Sequence, residues 1–284
     1  MHEFESVLDG AKGLLVETIK LLNTLNINYV IIGGWSPLLR NDTDITHPGT
    51  RDVDILFLEA SQRNELGEVI KLFIDNGFLI SAKHDFQLFK TINVCGKELV
   101  YHVDLLHPLE ASAKSDLFVD HLDLGIPVNK LYQDVKGTHV KSIALEYSKF
   151  IFDGYFKIFS MQYLDTKGIK TKINFPLIDE SGLILSKCIS VSSPKRQRDA
   201  FDIYLAFKQT NLEETKNKLK TAYQQNIQLK IALNKLLEYL IESSEIFDKN
   251  VISYLCKCGS EISDLLPSQY VKIHLQEILE KENN

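Results

Sequence analysis

What the chain has little of limits it first. Four cysteines (Cys95, Cys188, Cys256 and Cys258) are scattered through 284 residues. They form no disulfide framework, and Cys256-Lys257-Cys258 lacks partner ligands at zinc spacing. A reducing, cytoplasmic setting is therefore expected. No apolar run approaches the roughly 18 residues that would cross a bilayer, so no membrane partner is expected. The opening MHEFESVLDG is acidic and has no signal-peptide core, which argues against secretion. No internal repeat is present. A formal charge of -6 disfavours indiscriminate binding to nucleic acid.

The charge is uneven, however. Residues 1–125 carry 10 basic and 19 acidic groups, whereas residues 126–198 carry 12 basic and 6 acidic. That middle third is a candidate surface for the phosphates of a nucleotide or an RNA acceptor, a solvated lysine face being the alternative. With 44% hydrophobic and 25% charged residues, the rest reads as ordinary globular protein with ample material for a core.

The most informative stretch is IIGGWSPLLR, residues 31–40, read with TRDVDILFLE, residues 50–59. Residues 29–32 (YVII) have the β-branched and aromatic character of a buried strand. Gly33 and Gly34 then allow a tight turn with unshielded backbone amides. Ser36 reads as an N-cap and Pro37 as the first helical residue, so helix amides would point at an anion held by the turn. In RDVDILFL, period-2 alternation puts Asp52 and Asp54 on one face and Val53, Ile55 and Phe57 on the other. Side-by-side carboxylates repel unless a cation separates them. A hard divalent ion, Mg²⁺ or Mn²⁺, shared with substrate phosphates resolves that repulsion.

Taken in order, residues 4–25 read as an amphipathic helix, and residues 41–50 as a turn-rich loop containing Asp42 and Asp44. A helix from an N-cap at Ser61 to residue 75 precedes strands at 78–81, 86–94 and 99–106, the last two joined at Cys95-Gly96-Lys97. In LVYHVDLLHP, Asp104 becomes a third carboxylate, able to serve as metal ligand and as base toward an attacking hydroxyl. His102 and His107 read as rim or surface histidines. Residues 109–122 suggest a helix, residues 140–159 strands and residues 181–191 another helix. A basic loop follows, with an amphipathic helix from about residue 198. Lys187, Arg198, Asp199 and Asp202 fall together there, as cations for a triphosphate oriented by acids or as a surface ion-pair cluster. From about residue 210 long helical patterns run to the end, with breaks expected at 248–250, 258–260 and Pro267.

Gly33-Gly34 before a short helix, Asp52-x-Asp54 on a strand and Asp104 on a later strand resemble the nucleotidyltransferase fold of the DNA polymerase β superfamily. Within it, Lys187 followed by Arg198-Asp199-Ala200-Phe201-Asp202 is similar to the AbiEii-type toxin family. The resemblance covers about residues 25–207. It implies an α/β (α+β) fold with a mixed sheet flanked by helices and a nucleotidyltransferase domain over residues 1–207, while the helical patterns beyond it read as a bundle over 208–284. It also implies transfer of a nucleotide from an NTP to an acceptor such as a tRNA end or a protein, with neutralisation by a cognate antitoxin. Gly33, Gly34 and Ser36 would hold phosphates, and Asp52 and Asp54 the metal, with Asp104 assisting the nucleophile. Lys187 and Arg198 would bind phosphate, and Asp199 and Asp202 would complete the pocket. Gly33-Gly34-Trp35 before a helix, with the basic Arg51 just before Asp52-x-Asp54, is also similar to aminoglycoside and lincosamide nucleotidyltransferases, which transfer AMP to an antibiotic hydroxyl. A third alternative is a module that binds NTP without turnover.

Overall fold

The computed structural model describes residues 2–58, 63–81, 84, 86–109, 117–119, 140–145, 148–260 and 265–280. It is a mixed α/β fold that divides into two compact units, Met1–Gly33 with Thr50–Leu177, and Gly34–Gly49 with Ile178–Asn284.

The first unit is a mixed sheet. Its strands are β1 (Glu3–Phe4), β2 (Tyr29–Ile32), β3 (Val53–Phe57), β4 (Leu79–Ile80), β5 (Gln87–Val94), β6 (Lys97–Pro108), β7 (Leu117–Val119), β8 (Val140–Leu145), β9 (Phe156–Leu164) and β10 (Lys170–Ile178). The main order is β1-β5-β6-β3-β2-β10-β9. β3 lies at the centre, antiparallel to β2 and parallel to β6. Its apolar residues Val53, Ile55 and Leu56 are fully buried, as a central strand requires. β5 and β6 form an antiparallel hairpin, turned at Cys95 and Gly96, both with positive φ (48° and 74°). Two consecutive positive-φ residues match the right-handed twist of the flanking strands.

Helices α1 (Val7–Leu22) and α3 (Arg63–Asp75) belong to the same unit, and α1 packs against β5, β9 and α3. α1 starts later than the sequence pattern suggests. Ser6 caps it by accepting from the Asp9 amide at 3.1 Å, while Glu3 and Phe4 pair with Asn93 and Val94 as a strand. The Ser61 cap and most of the helix expected at 109–122 lie outside the described residues. The described part of that segment, Leu117–Val119, is a strand paired with β8, which corrects the expectation of a helix there.

The second unit is helical. α2 (Trp35–Leu39) packs on α4 (Glu180–Lys187) and α5 (Gln197–Lys208), and these join α6 (Leu212–Gln225), α7 (Ile227–Glu242), α8 (Ser244–Lys257) and α9 (Pro267–Leu279). α4 ends at Lys187, short of the expected residue 191. The expected break at 248–250 is absent, since α8 runs through it. Asp248 is polar there for another reason. Its carboxylate accepts from the Ser268 amide at 2.7 Å and from the Ser268 hydroxyl at 2.8 Å, satisfying the first turn of α9 behind Pro267. Asp248→Ala should therefore lower stability by about 1 kcal/mol, the usual loss on removing an N-terminal helix cap. Urea denaturation checks this through a lower midpoint at unchanged slope. No helix among the described residues is long and apolar enough to cross a membrane.

Candidate functional site

Strand register builds the first cluster. In the parallel β3–β6 pair Asp54 lies opposite Asp104, and in the antiparallel β5–β6 pair Asp104 lies opposite Gln87. Directly paired residues project to the same face, so Gln87, Asp104 and Asp54 form a row across three strands. Asp52 sits just before β3, not within it, and its side chain is half exposed. His102, two residues before Asp104, brings Nδ1 to 3.4 Å from Asp52 Oδ1, so it belongs to this cluster and is not a bystander at the rim. His107 is a core histidine rather than a surface one, with Nδ1 2.8 Å from the Ser142 hydroxyl.

The glycine turn closes over one of these acids. Gly33 has φ +73°, and a methyl group built on it would collide with Asp54 Oδ2. Glycine is thus required twice, by backbone sign and by the carboxylate beside it. Gly34 is different: its φ of -71° and ψ of -9° are ordinary right-handed helix values. The helix consequently begins at Trp35, and Ser36 is not its cap. The Ser36 hydroxyl instead donates to the Ile178 carbonyl at 2.7 Å, and Ser36 is buried. Trp35 is fully buried and cannot line an open acceptor pocket.

Electrostatics single out Asp104. Burial pushes its carboxyl above the usual carboxylate range; the Gln87 hydrogen bond opposes that rise and the negative Asp52 reinforces it. Asp52, Asp54 and Asp104 are hard oxygen donors of like charge, the donor chemistry that a divalent cation neutralises. Among the described residues no three Asp, Glu, His or Cys side chains close on one point. A cation held here would need further oxygen ligands from phosphate and water, as is usual for Mg²⁺.

Lys187, Arg198, Asp199 and Asp202 come together in the second unit, but as a buried network. Lys187 Nζ donates to Asp199 Oδ1 and forms an ion pair with Asp202 Oδ2 at 3.0 Å. Arg198 Nε approaches the same Asp202 oxygen at 3.6 Å, one helical turn away, and Arg198 Nη1 donates to the Gly49 carbonyl at 3.2 Å. Burial alone would raise the Asp202 carboxyl. Lys187 outweighs it, helped by a hydrogen bond from His47 and by Arg198, and holds Asp202 well below the usual range. Burial alone would lower the Lys187 ammonium, but Asp202 and Asp199 hold it above its ordinary value. The sequence pattern did not reveal His47. Its Nδ1 accepts from the Gly49 amide at 3.1 Å, which leaves Nε2 as the protonated nitrogen, 3.3 Å from Asp202 Oδ1. No spacing signal marks it, because its partner lies 155 residues away.

No family model matches this sequence, and no curated protein does. Among solved structures the chain is similar to an antigenic nucleotidyltransferase-like protein from Paracoccidioides brasiliensis, at 16% identity and a TM-score of 0.37 over 86% of this chain and 94% of that one.

The structure thus brings Gly33, Asp52, Asp54 and Asp104 into one cluster of the first unit, and Lys187, Arg198, Asp199 and Asp202 into one network of the second. Arg198 keeps a third of its side chain exposed, whereas Lys187 is almost wholly enclosed by its acids.

Proposed function

We propose that this chain is a metal-dependent nucleotidyltransferase that moves an NMP from an NTP to an acceptor hydroxyl. The observation that carries the reading is the register of Asp54 opposite Asp104, with the positive-φ turn at Gly33 folded against Asp54. A bound divalent cation would neutralise the triphosphate and lower the charge developing on the transferred phosphoryl group. Asp52 and Asp54, with Asp104, are the residues that would hold it. Asp104 would assist the attacking hydroxyl from the carboxylate oxygen that Gln87 leaves open. The glycine turn would present backbone amides where no side chain stands between them and phosphate.

The finer assignment extends the same reading. RNA, as a tRNA end, or a protein is the acceptor we favour, in a toxin–antitoxin or abortive-infection setting with a cognate antitoxin as partner. The excess of basic residues over 126–198 suits a polyanionic acceptor better than a cationic aminoglycoside.

The experiment is transfer of label from α-labelled NTPs to total RNA, to protein and to aminoglycosides, comparing the wild-type chain with Asp54→Asn. Label should enter RNA or protein, and the variant should lose on the order of 100-fold in rate, as expected when several kcal/mol of charge stabilisation is withdrawn. Label on the aminoglycoside would favour antibiotic modification instead. Tight NTP binding without any labelling would leave a non-catalytic NTP-binding module.

A further inference from the structure

We propose that Gln87 is a positioning residue for Asp104, holding one carboxylate oxygen so that only the other faces the reacting groups. This inference rests on the nucleotidyl-transfer reading of the site. Gln87 stands directly opposite Asp104 in the β5–β6 ladder, and its Nε2 donates to Asp104 Oδ1 at 2.7 Å. The residue is buried, so its amide has little room to swing away. Its backbone is pinned as well: the Gln87 amide donates to the His84 carbonyl at 3.1 Å, and the Gln87 carbonyl accepts from the Ser81 amide at 2.9 Å.

The chemistry explains why an amide suits this place. A carboxylate free to rotate offers either oxygen, or both, to a cation or a proton. With Oδ1 occupied, Asp104 acts through Oδ2 alone, in one direction. A lysine or arginine at position 87 would fix the same oxygen but would add a positive charge competing with the cation. Glutamine supplies the hydrogen bond without the charge. The row Gln87, Asp104, Asp54 thus reads as a support followed by two working groups, with the support on the strand farthest from the glycine turn.

The test is Mn²⁺ binding by the full-length chain, followed by electron paramagnetic resonance in the presence of a non-hydrolysable ATP analogue. Wild type, Gln87→Met and Asp54→Asn are compared, with melting temperatures measured in parallel. Met preserves length and removes the donor. Gln87→Met should weaken Mn²⁺ binding about 10-fold or more, the usual effect of removing a group that orients a ligand, while melting stays within a few degrees of wild type. Wild-type affinity in Gln87→Met, or a lowered melting temperature without a change in affinity, would overturn the positioning role. If Gln87→Met does not fold, Gln87→Asn, whose amide stops short of Asp104, carries the same comparison. If the wild-type chain takes up no Mn²⁺ with the analogue, the nucleotidyl-transfer reading fails and the proposal falls with it. That outcome differs from a wild type that binds and a variant that binds equally well.

Discussion

Lys187→Met should lower the stability of this protein more than any surface substitution. It removes the ammonium that holds Asp199 and Asp202 and leaves Asp202 buried against His47 and Arg198. Breaking a buried ion pair by deleting one partner costs about 3–5 kcal/mol, because the surviving charge stays out of water. For a chain of this size that corresponds to a melting point lower by roughly 10 °C, readable by circular dichroism. The double variant Lys187→Met/Asp202→Leu should recover part of the loss, since it removes one stranded charge. Unchanged melting together with lost triphosphate binding would instead give Lys187 the phosphate-binding role implied by the family resemblance.

The pH dependence of this effect has a definite sign. The folded Asp202 carboxyl lies below its ordinary 3.8, so its contribution is full above that value and is lost as pH falls through the lower folded one. The folded Lys187 ammonium lies above its ordinary 10.5, so its contribution is full below that value and is lost as pH rises through the higher folded one. The wild type should therefore keep the contribution of this pair from about pH 5 to pH 9 and lose it outside that window.

Gly33→Ala should lower the proposed activity by a separate route. A left-handed backbone costs a non-glycine residue about 1–2 kcal/mol, and the new methyl group would strike Asp54 Oδ2. The turn must open or the Asp54 carboxylate must swing aside, so the proposed nucleotidyl transfer should fall about as far as in Asp54→Asn, about 100-fold. Gly34→Ala is the control, because φ -71° and ψ -9° suit any residue. Equal activity of the two alanine variants in the labelling assay would refute the argument.

The parts of the fold written in local patterns were legible in the sequence. The run YVII gives β2 at its observed limits, and the alternation in RDVDILFL places Asp54 on the polar face of a buried strand. The Cys95-Gly96 turn and the start of α5 also follow from local signals. What was not legible depends on partners distant in sequence. Nothing local tells Glu3 and Phe4 to leave α1 and pair with Asn93 and Val94. A polar Asp248 looks like a helix break until Ser268 supplies the two donors that it accepts. Ser36 has the chemistry of a cap, but its hydroxyl donates to the carbonyl of Ile178. The candidate site divides in the same way. Its carboxylates could be read from period and order, whereas Gln87 and His47 enter only through cross-strand register and a loop-to-helix contact.

The place of Trp35 has a practical consequence. It is the only tryptophan in the chain, it is completely buried, and it belongs to the unit built from Gly34–Gly49 and Ile178–Asn284. Intrinsic fluorescence excited at the indole band therefore follows the unfolding of that unit, while the mixed sheet remains silent in the same channel. A fragment confined to residues 178–284 would lack this reporter and the α2 helix that packs on α4 and α5.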